Sequence, residues 1–236
     1  MESDDSKELT EPTTAYWQAI EADVPSTRLN PPFKFGYPAR LPDGRYLILP
    51  IRLREQPGRA VASFIANHAS FEVLDTLADH MAEQIVAKAP DIVIGLPTLG
   101  LALAPLIARR LGHQTFVPFG TSRKFWYDEN LSQPLKSLTT TQAGRNLYID
   151  PNLVPRLEGR KAIIVDDTIS TGATTLAAIE LAHRAGAEMV GLSFAMSQGD
   201  QWREALTACG PRLPSLVSFV FQSPHFTLVE GGWSPI

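Results

Sequence analysis

Apolar residues recur at three- and four-residue intervals after Ser70: Leu74, Leu77, Ala78, Met81 and Ile85 share one helical face. Ser70 is placed to cap the first turn and Glu72 to favour its dipole, so the spacing predicts a core-facing helix. The run Asp91-Ile92-Val93-Ile94-Gly95-Leu96 is instead short and continuously apolar, the pattern of a strand buried on both faces. A second helix is predicted over 101–110, interrupted or started late by Pro105, and Thr115-Phe116-Val117 reads as another strand. After Gly159 the alternation is clearest, with a strand over 161–165, a helix over 174–184 and a strand over 189–195. Gly186 suits the left-handed position past a helix end, with His183 and Arg184 in the last turn. Strands alternating with helices predict an α/β fold with a mostly parallel, doubly wound sheet.

The ends of the chain follow neither period. Residues 1 to about 45 are rich in Pro, Asp, Glu, Ser and Thr, and Asn30-Pro31-Pro32 cannot sit inside a regular element, so a partly ordered arm is expected. Leu41-Pro42-Asp43-Gly44-Arg45 followed by Tyr46-Leu47-Ile48-Leu49 gives a turn and a short strand, where a hairpin begins. Residues 119–145 form the longest stretch without periodicity, and Asn146-Leu147-Tyr148-Ile149 returns from it as a strand.

Composition narrows the class. A chain of 236 residues with 44% hydrophobic and 19% charged residues supports one main core. A net charge of -4 leaves no general footprint for nucleic acid or an anionic membrane, so anion binding must be local. The single cysteine, Cys209, excludes an internal disulfide and any multi-cysteine metal site. No apolar stretch is long enough for a membrane span, and Met1-Glu2-Ser3-Asp4-Asp5 is unlike a signal peptide; a cytoplasmic location is expected.

Candidate chemistry gathers where a strand meets a helix. A parallel strand ending in Asp166 and Asp167 places both acids on the edge where open α/β sheets bind ligands. Thr168, Ile169, Ser170, Thr171, Gly172, Ala173, Thr174 and Thr175 then lead into a helix start, whose free N–H groups attract phosphate. Carboxylates suit sugar hydroxyls and the loop suits a phosphate, so a phosphorylated ribose is the expected ligand. Gly95 to Gly100 has the glycine spacing of a P-loop but continues Leu101-Ala102, and no Gly-x-Gly-x-x-Gly occurs, which demotes ATP hydrolysis and dinucleotide binding. The five histidines show no metal-ligand spacing.

The run Val165-Asp166-Asp167-Thr168-Ile169-Ser170-Thr171-Gly172-Ala173-Thr174 resembles the signature of the type I phosphoribosyltransferases: apolar residues, two acids, then a Thr-Gly phosphate loop. Ala173 departs from it where many members have a second glycine. The resemblance covers roughly residues 70–200. It implies a core over 70–200, an arm over 1–69 contributing to a small hood, and a segment over 201–236 at the core edge or in the hood. Pro97, Thr98, Leu99 and Gly100 match the loop that contacts pyrophosphate through backbone amides. Arg123 and Lys124 match the dipeptide opening the flexible loop, with Arg145 approaching on its return. Phe125-Trp126-Tyr127 offers faces for a base or for packing.

By the same resemblance, phosphoribosyl pyrophosphate donates to a nitrogen base, which the resemblance implies is a purine. Mg2+ is the cofactor, held mainly by the substrate with Asp166 and Asp167 nearby. A homodimer is implied, with no membrane or nucleic-acid partner. Among subfamilies the chain is nearest the adenine enzymes in its Arg-Lys pair and in Ser137-Leu138. It lacks the glutamate they carry next, running instead into Thr139-Thr140-Thr141-Gln142, so another purine or nitrogen base stays open. The alternative from another class is a non-catalytic sensor of the donor or a transcription regulator. No helix-turn-helix pattern or basic stretch appears in residues 1–65 to favour it.

Overall fold

A computed structural model describes residues 15–135 and 146–236 of the chain. A helical turn, α1 (Ser26–Leu29), leads to three strands, β1 (Gly36–Arg40), β2 (Tyr46–Leu53) and β3 (Arg59–Ala62). Then follow α2 (Phe71–Ile85), β4 (Ile92–Gly95), α3 (Gly100–Arg110), β5 (Val117–Pro118), β6 (Ser132–Pro134) and β7 (Asn146–Tyr148). The second half runs β8 (Lys161–Ile169), α4 (Ala173–Arg184), β9 (Glu188–Gln198), α5 (Gln201–Cys209) and α6 (Leu213–Leu216). It ends in β10 (Val217–Ser223), β11 (His225–Val229) and β12 (Gly232–Pro235).

Two five-stranded sheets result. One is parallel, in the order β10-β9-β8-β4-β5; the other is antiparallel, in the order β1-β2-β3-β11-β12. Alternation along the parallel strands divides the core. Val93, Ile163, Val165 and Ala195 pack with α2, α3 and the inner residues Leu47, Leu49, Ile51, Ala60, Ala62, Phe226 and Trp233 of the antiparallel sheet. Ile94, Ile164, Leu192 and Phe194 face the other way, against α4 and Trp202 and Leu206 of α5. The parallel sheet is therefore covered on both faces, as the alternating pattern requires.

The second sheet joins strands from the two ends of the described chain, β1 to β3 with β11 and β12. β1 lies inside the segment expected to be an arm. It is an edge strand, the position that tolerates Pro38. The expected turn at 41–45 does connect it to β2, with Gly36 opposite Pro50 and Arg40 opposite Tyr46.

Other expectations are corrected. α2 starts as expected, with Ser70 Oγ accepting from the Val73 N–H at 3.2 Å. α3, however, runs through Pro105 without interruption. Burial of Leu103, Ala104, Ile107 and Ala108 outweighs the one ladder bond that proline removes. The strand expected at 115–117 forms only at Val117–Pro118. The stretch at 119–145 contains a 3-10 turn at Glu129–Leu131 and the strand β6, which pairs antiparallel with β7.

Candidate functional site

The strand expected to stop at Val165 continues to Ile169, and its two edges end at different places. On one side β8 pairs with β4 only as far as Gly95 opposite Val165. On the other it pairs with β9 through Ile169 opposite Ser197. Asp166 and Asp167 thus stand just past the end of β4 while β9 still fixes their backbone. That places both acids on the carboxyl edge of the sheet.

The Asp167 N–H donates to Asp166 Oδ1 at 2.9 Å, and Thr168 Oγ1 donates to Asp167 Oδ2 at 3.3 Å. The Gly100 backbone, at the start of α3, lies against the Asp166 carboxylate and favours its charged form. Asp167 is only 7% exposed. Burial pushes the Asp166 carboxyl well above the usual carboxylate range, and the negative charge of Asp167 adds to this. Burial likewise raises Asp167. Two acids held where neither ionises freely are suited to hydrogen-bonding hydroxyls or meeting a cation.

Gly100 lies flush against this pair. A Cβ there would meet Val165 O at 2.7 Å and Asp166 Cα and Oδ1 at 2.8 Å. Only glycine lets α3 begin so close. The loop between β4 and α3 has a cis peptide between Pro97 and Thr98, with Thr98 exposed and Pro97 and Leu99 half-buried.

On the other side the phosphate-loop candidate opens α4. Gly172 caps the helix at φ 79°, and Thr171 Oγ1 accepts from the Ala173 N–H at 3.4 Å. Thr171 is exposed, Ser170 and Thr174 are half-buried and Thr175 is buried. The first-turn amides have no intrahelical acceptor, which makes this end receptive to an anion.

Sequence reading missed what supports the loop. A Cβ on Gly172 would come within 2.7 Å of Leu206 Cδ1 and 3.4 Å of Trp202 Cβ. Trp202 is buried, and its indole N–H donates to Ser197 Oγ at 2.9 Å. No local signal in the sequence links α5 to Gly172.

Arg123 and Lys124 are not brought onto the acid pair. Arg123 Nη2 lies 2.8 Å from Glu129 Oε1 on its own loop, and Lys124 is exposed with no ion pair among the described residues. The loop is tied down around them. Trp126 Nε1 donates to Asp150 Oδ2 at 3.1 Å, and the Tyr127 ring lies 6.0 Å from that of Tyr148. Arg184, at the far end of α4, donates to the carbonyls of Asn130 and Ser132 and to Gln133 Oε1. Phe125 is 96% exposed, so it does not pack into the core. Arg145, Ser137 and Leu138 lie outside the described residues. Among the described residues no three His, Cys, Asp or Glu side chains group to hold a metal, so a cation at Asp166 and Asp167 would need oxygens from a ligand.

The molecule is therefore an α/β protein with an acid pair, a tight glycine loop and an anion-receptive helix start on one sheet edge. The description of a phosphoribosyl transferase domain matches residues 62–209, and the chain belongs to that family. It is a phosphoribosyltransferase, a pentosyltransferase by reaction class. It is 31% identical over 153 residues to the adenine phosphoribosyltransferase of Novosphingobium aromaticivorans, covering 63% of this chain and 80% of the relative. To that of Thermobifida fusca it is 34% identical over 126 residues, covering 53% and 68%. The crystal structure of adenine phosphoribosyltransferase from Rhodothermus marinus superimposes with a TM-score of 0.50 at 27% identity, covering 65% of this chain and 81% of that one. That from Leishmania tarentolae gives 0.55 at 20% identity over 71% and 77%, which supports the fold alone.

Proposed function

We propose that the chain transfers ribose 5-phosphate from phosphoribosyl pyrophosphate to adenine, releasing pyrophosphate, in purine salvage. The observation that carries the donor is the Asp166–Asp167 pair, set between the Gly100 amide and the start of α4. The acceptor rests on likeness to relatives named for adenine, because the glutamate expected after Ser137-Leu138 is missing from this chain. Those relatives are enzymes, and nothing among them favours the sensor alternative.

In this reading Asp166 and Asp167 accept from the 2- and 3-hydroxyls of the ribose. Their charge lies near the cationic character that develops at C1 as the bond to pyrophosphate breaks. Ser170, Thr171 and the amides of Gly172, Ala173, Thr174 and Thr175 hold the 5-phosphate, with Ile169 anchoring the loop to β9. The backbone of Pro97, Thr98, Leu99 and Gly100 meets the pyrophosphate. Arg123 leaves Glu129 to join Lys124 against the same group. The acid pair also fits Mg2+ brought in by the donor, and the ion would supply charge neutralisation of the leaving group. Arg145, a cytoplasmic location and a homodimer complete the proposal.

The test of the acceptor is a panel of adenine, hypoxanthine, guanine, xanthine, uracil and orotate with donor and Mg2+. Adenine is expected to give the highest kcat/KM, by about 10²-fold or more, since a polar base pocket rejects analogues that leave its groups unpaired. Preference for any other base overturns the acceptor assignment.

A further inference from the structure

The antiparallel sheet has a second face, turned away from the side that packs into the core. Register places side chains in rows across it. Arg52 stands opposite Val61, and Val61 opposite His225. One pair further, the Arg54 N–H donates to the Arg59 carbonyl at 2.9 Å, Arg59 stands opposite Thr227, and Thr227 opposite Ser234. Residues opposite one another in an antiparallel pair project to the same face. Arg54, Arg59, Thr227 and Ser234 therefore form one continuous row over four strands, with Arg52 in the next row. The inner face carries Ala60, Ala62, Phe226 and Trp233, so the row points away from the core.

This row consists of hydrogen-bond donors. Among the described residues none of the three guanidiniums has a carboxylate partner. The one side-chain contact in the cluster is Arg54 Nη1 to His225 Nδ1 at 3.5 Å. Among the described residues no side-chain bond of Thr227 or Ser234 competes for a ligand. Burial and the nearby charges of Arg54 and Arg59 hold the His225 pKa below its ordinary value, so that ring brings no charge of its own. Three arginines in so small an area repel one another, in a chain whose net charge is -4. At the usual strand separation the row spans about 14 Å, longer than a single phosphate group.

We propose that the Arg52, Arg54, Arg59, Thr227 and Ser234 face binds an oligophosphate anion, at a site distinct from the donor loop. Guanidinium forks suit successive phosphate groups, and the hydroxyls complete the far end. The anion has two sources that this chemistry does not separate, a nucleoside triphosphate and an inorganic oligophosphate.

Calorimetric titration of the full chain with tripolyphosphate, and separately with ATP, tests the site. Arg54→Gln/Arg59→Gln is expected to weaken tripolyphosphate binding at least about tenfold, Arg54→Lys/Arg59→Lys to weaken it by less because the charge stays while the fork is lost, and Thr171→Val to stay within about threefold of wild type. Matching affinity for ATP assigns the nucleotide source, and binding of tripolyphosphate alone assigns the inorganic one. Arg54 is exposed, so the single variant Arg54→Gln keeps the reading available if the double variant does not fold. Equal affinity in wild type and Arg54→Gln/Arg59→Gln overturns the site. So does loss in Thr171→Val with retention in the arginine variant, which would put the anion on the donor loop. Either failure leaves the donor assignment standing.

Discussion

The Cα of Gly100 lies so close to Asp166 that a single added methyl would sit 2.8 Å from the carboxylate oxygen Oδ1 and 2.7 Å from the Val165 carbonyl. The atoms in the way are largely backbone, which cannot swing aside. Gly100→Ala should therefore force α3 and β8 apart, costing about 1–3 kcal/mol of stability, as overpacking does. Urea unfolding measures that cost. Donor affinity should fall with it, because the Gly100 backbone that lies against Asp166 moves too.

Asp166→Asn and Asp167→Asn should separate stability from function. Both carboxyls have raised pKa values, so between the unfolded and folded values the native state holds more protons. The stability they contribute is present at low pH and is lost as pH rises through the folded values. At neutral pH, without ligand, each amide variant should melt above wild type while binding the donor more weakly. Melting curves against pH check the sign; a variant that melts lower at neutral pH contradicts it.

A methyl on Gly172 meets two penalties, a left-handed φ of 79° and the Leu206 side chain at 2.7 Å. Gly172→Ala should cost about 1–2 kcal/mol for the backbone alone, plus the clash. Leu206→Ala should recover the clash part only. A double-mutant cycle reads the coupling, and additive effects would show that α5 does not brace the loop.

Arg123 must exchange Glu129 for pyrophosphate. Exposed ion pairs are worth under about 1 kcal/mol, so Glu129→Gln should lower the donor KM by no more than about fivefold. Arg123→Gln should reduce kcat/KM by about 10²-fold, the scale of losing one donor to developing charge. Steady-state rates at varied donor concentration distinguish the two.

The acid pair, the glycine loops and the order β4, α3, β8, α4, β9 are legible in sequence because each depends on neighbours along the chain. The antiparallel sheet is not, since β3 pairs with β11 across more than half of the chain and neither strand signals its partner. The same limit hid Leu206 behind Gly172. Pro105 misled for the opposite reason: its local rule is sound, and tertiary burial of α3 overrides it. The reach of β8 past Val165 was unreadable because β9, not β8, supplies the pairing that extends it.

Calorimetric titration of phosphoribosyl pyrophosphate with Mg2+ into wild type and Asp166→Asn/Asp167→Asn tests the donor site most directly. Saturable binding that weakens by about 10²-fold or more in the variant, while the variant stays folded, is the expected result. Equal affinity in the two proteins would contradict the account.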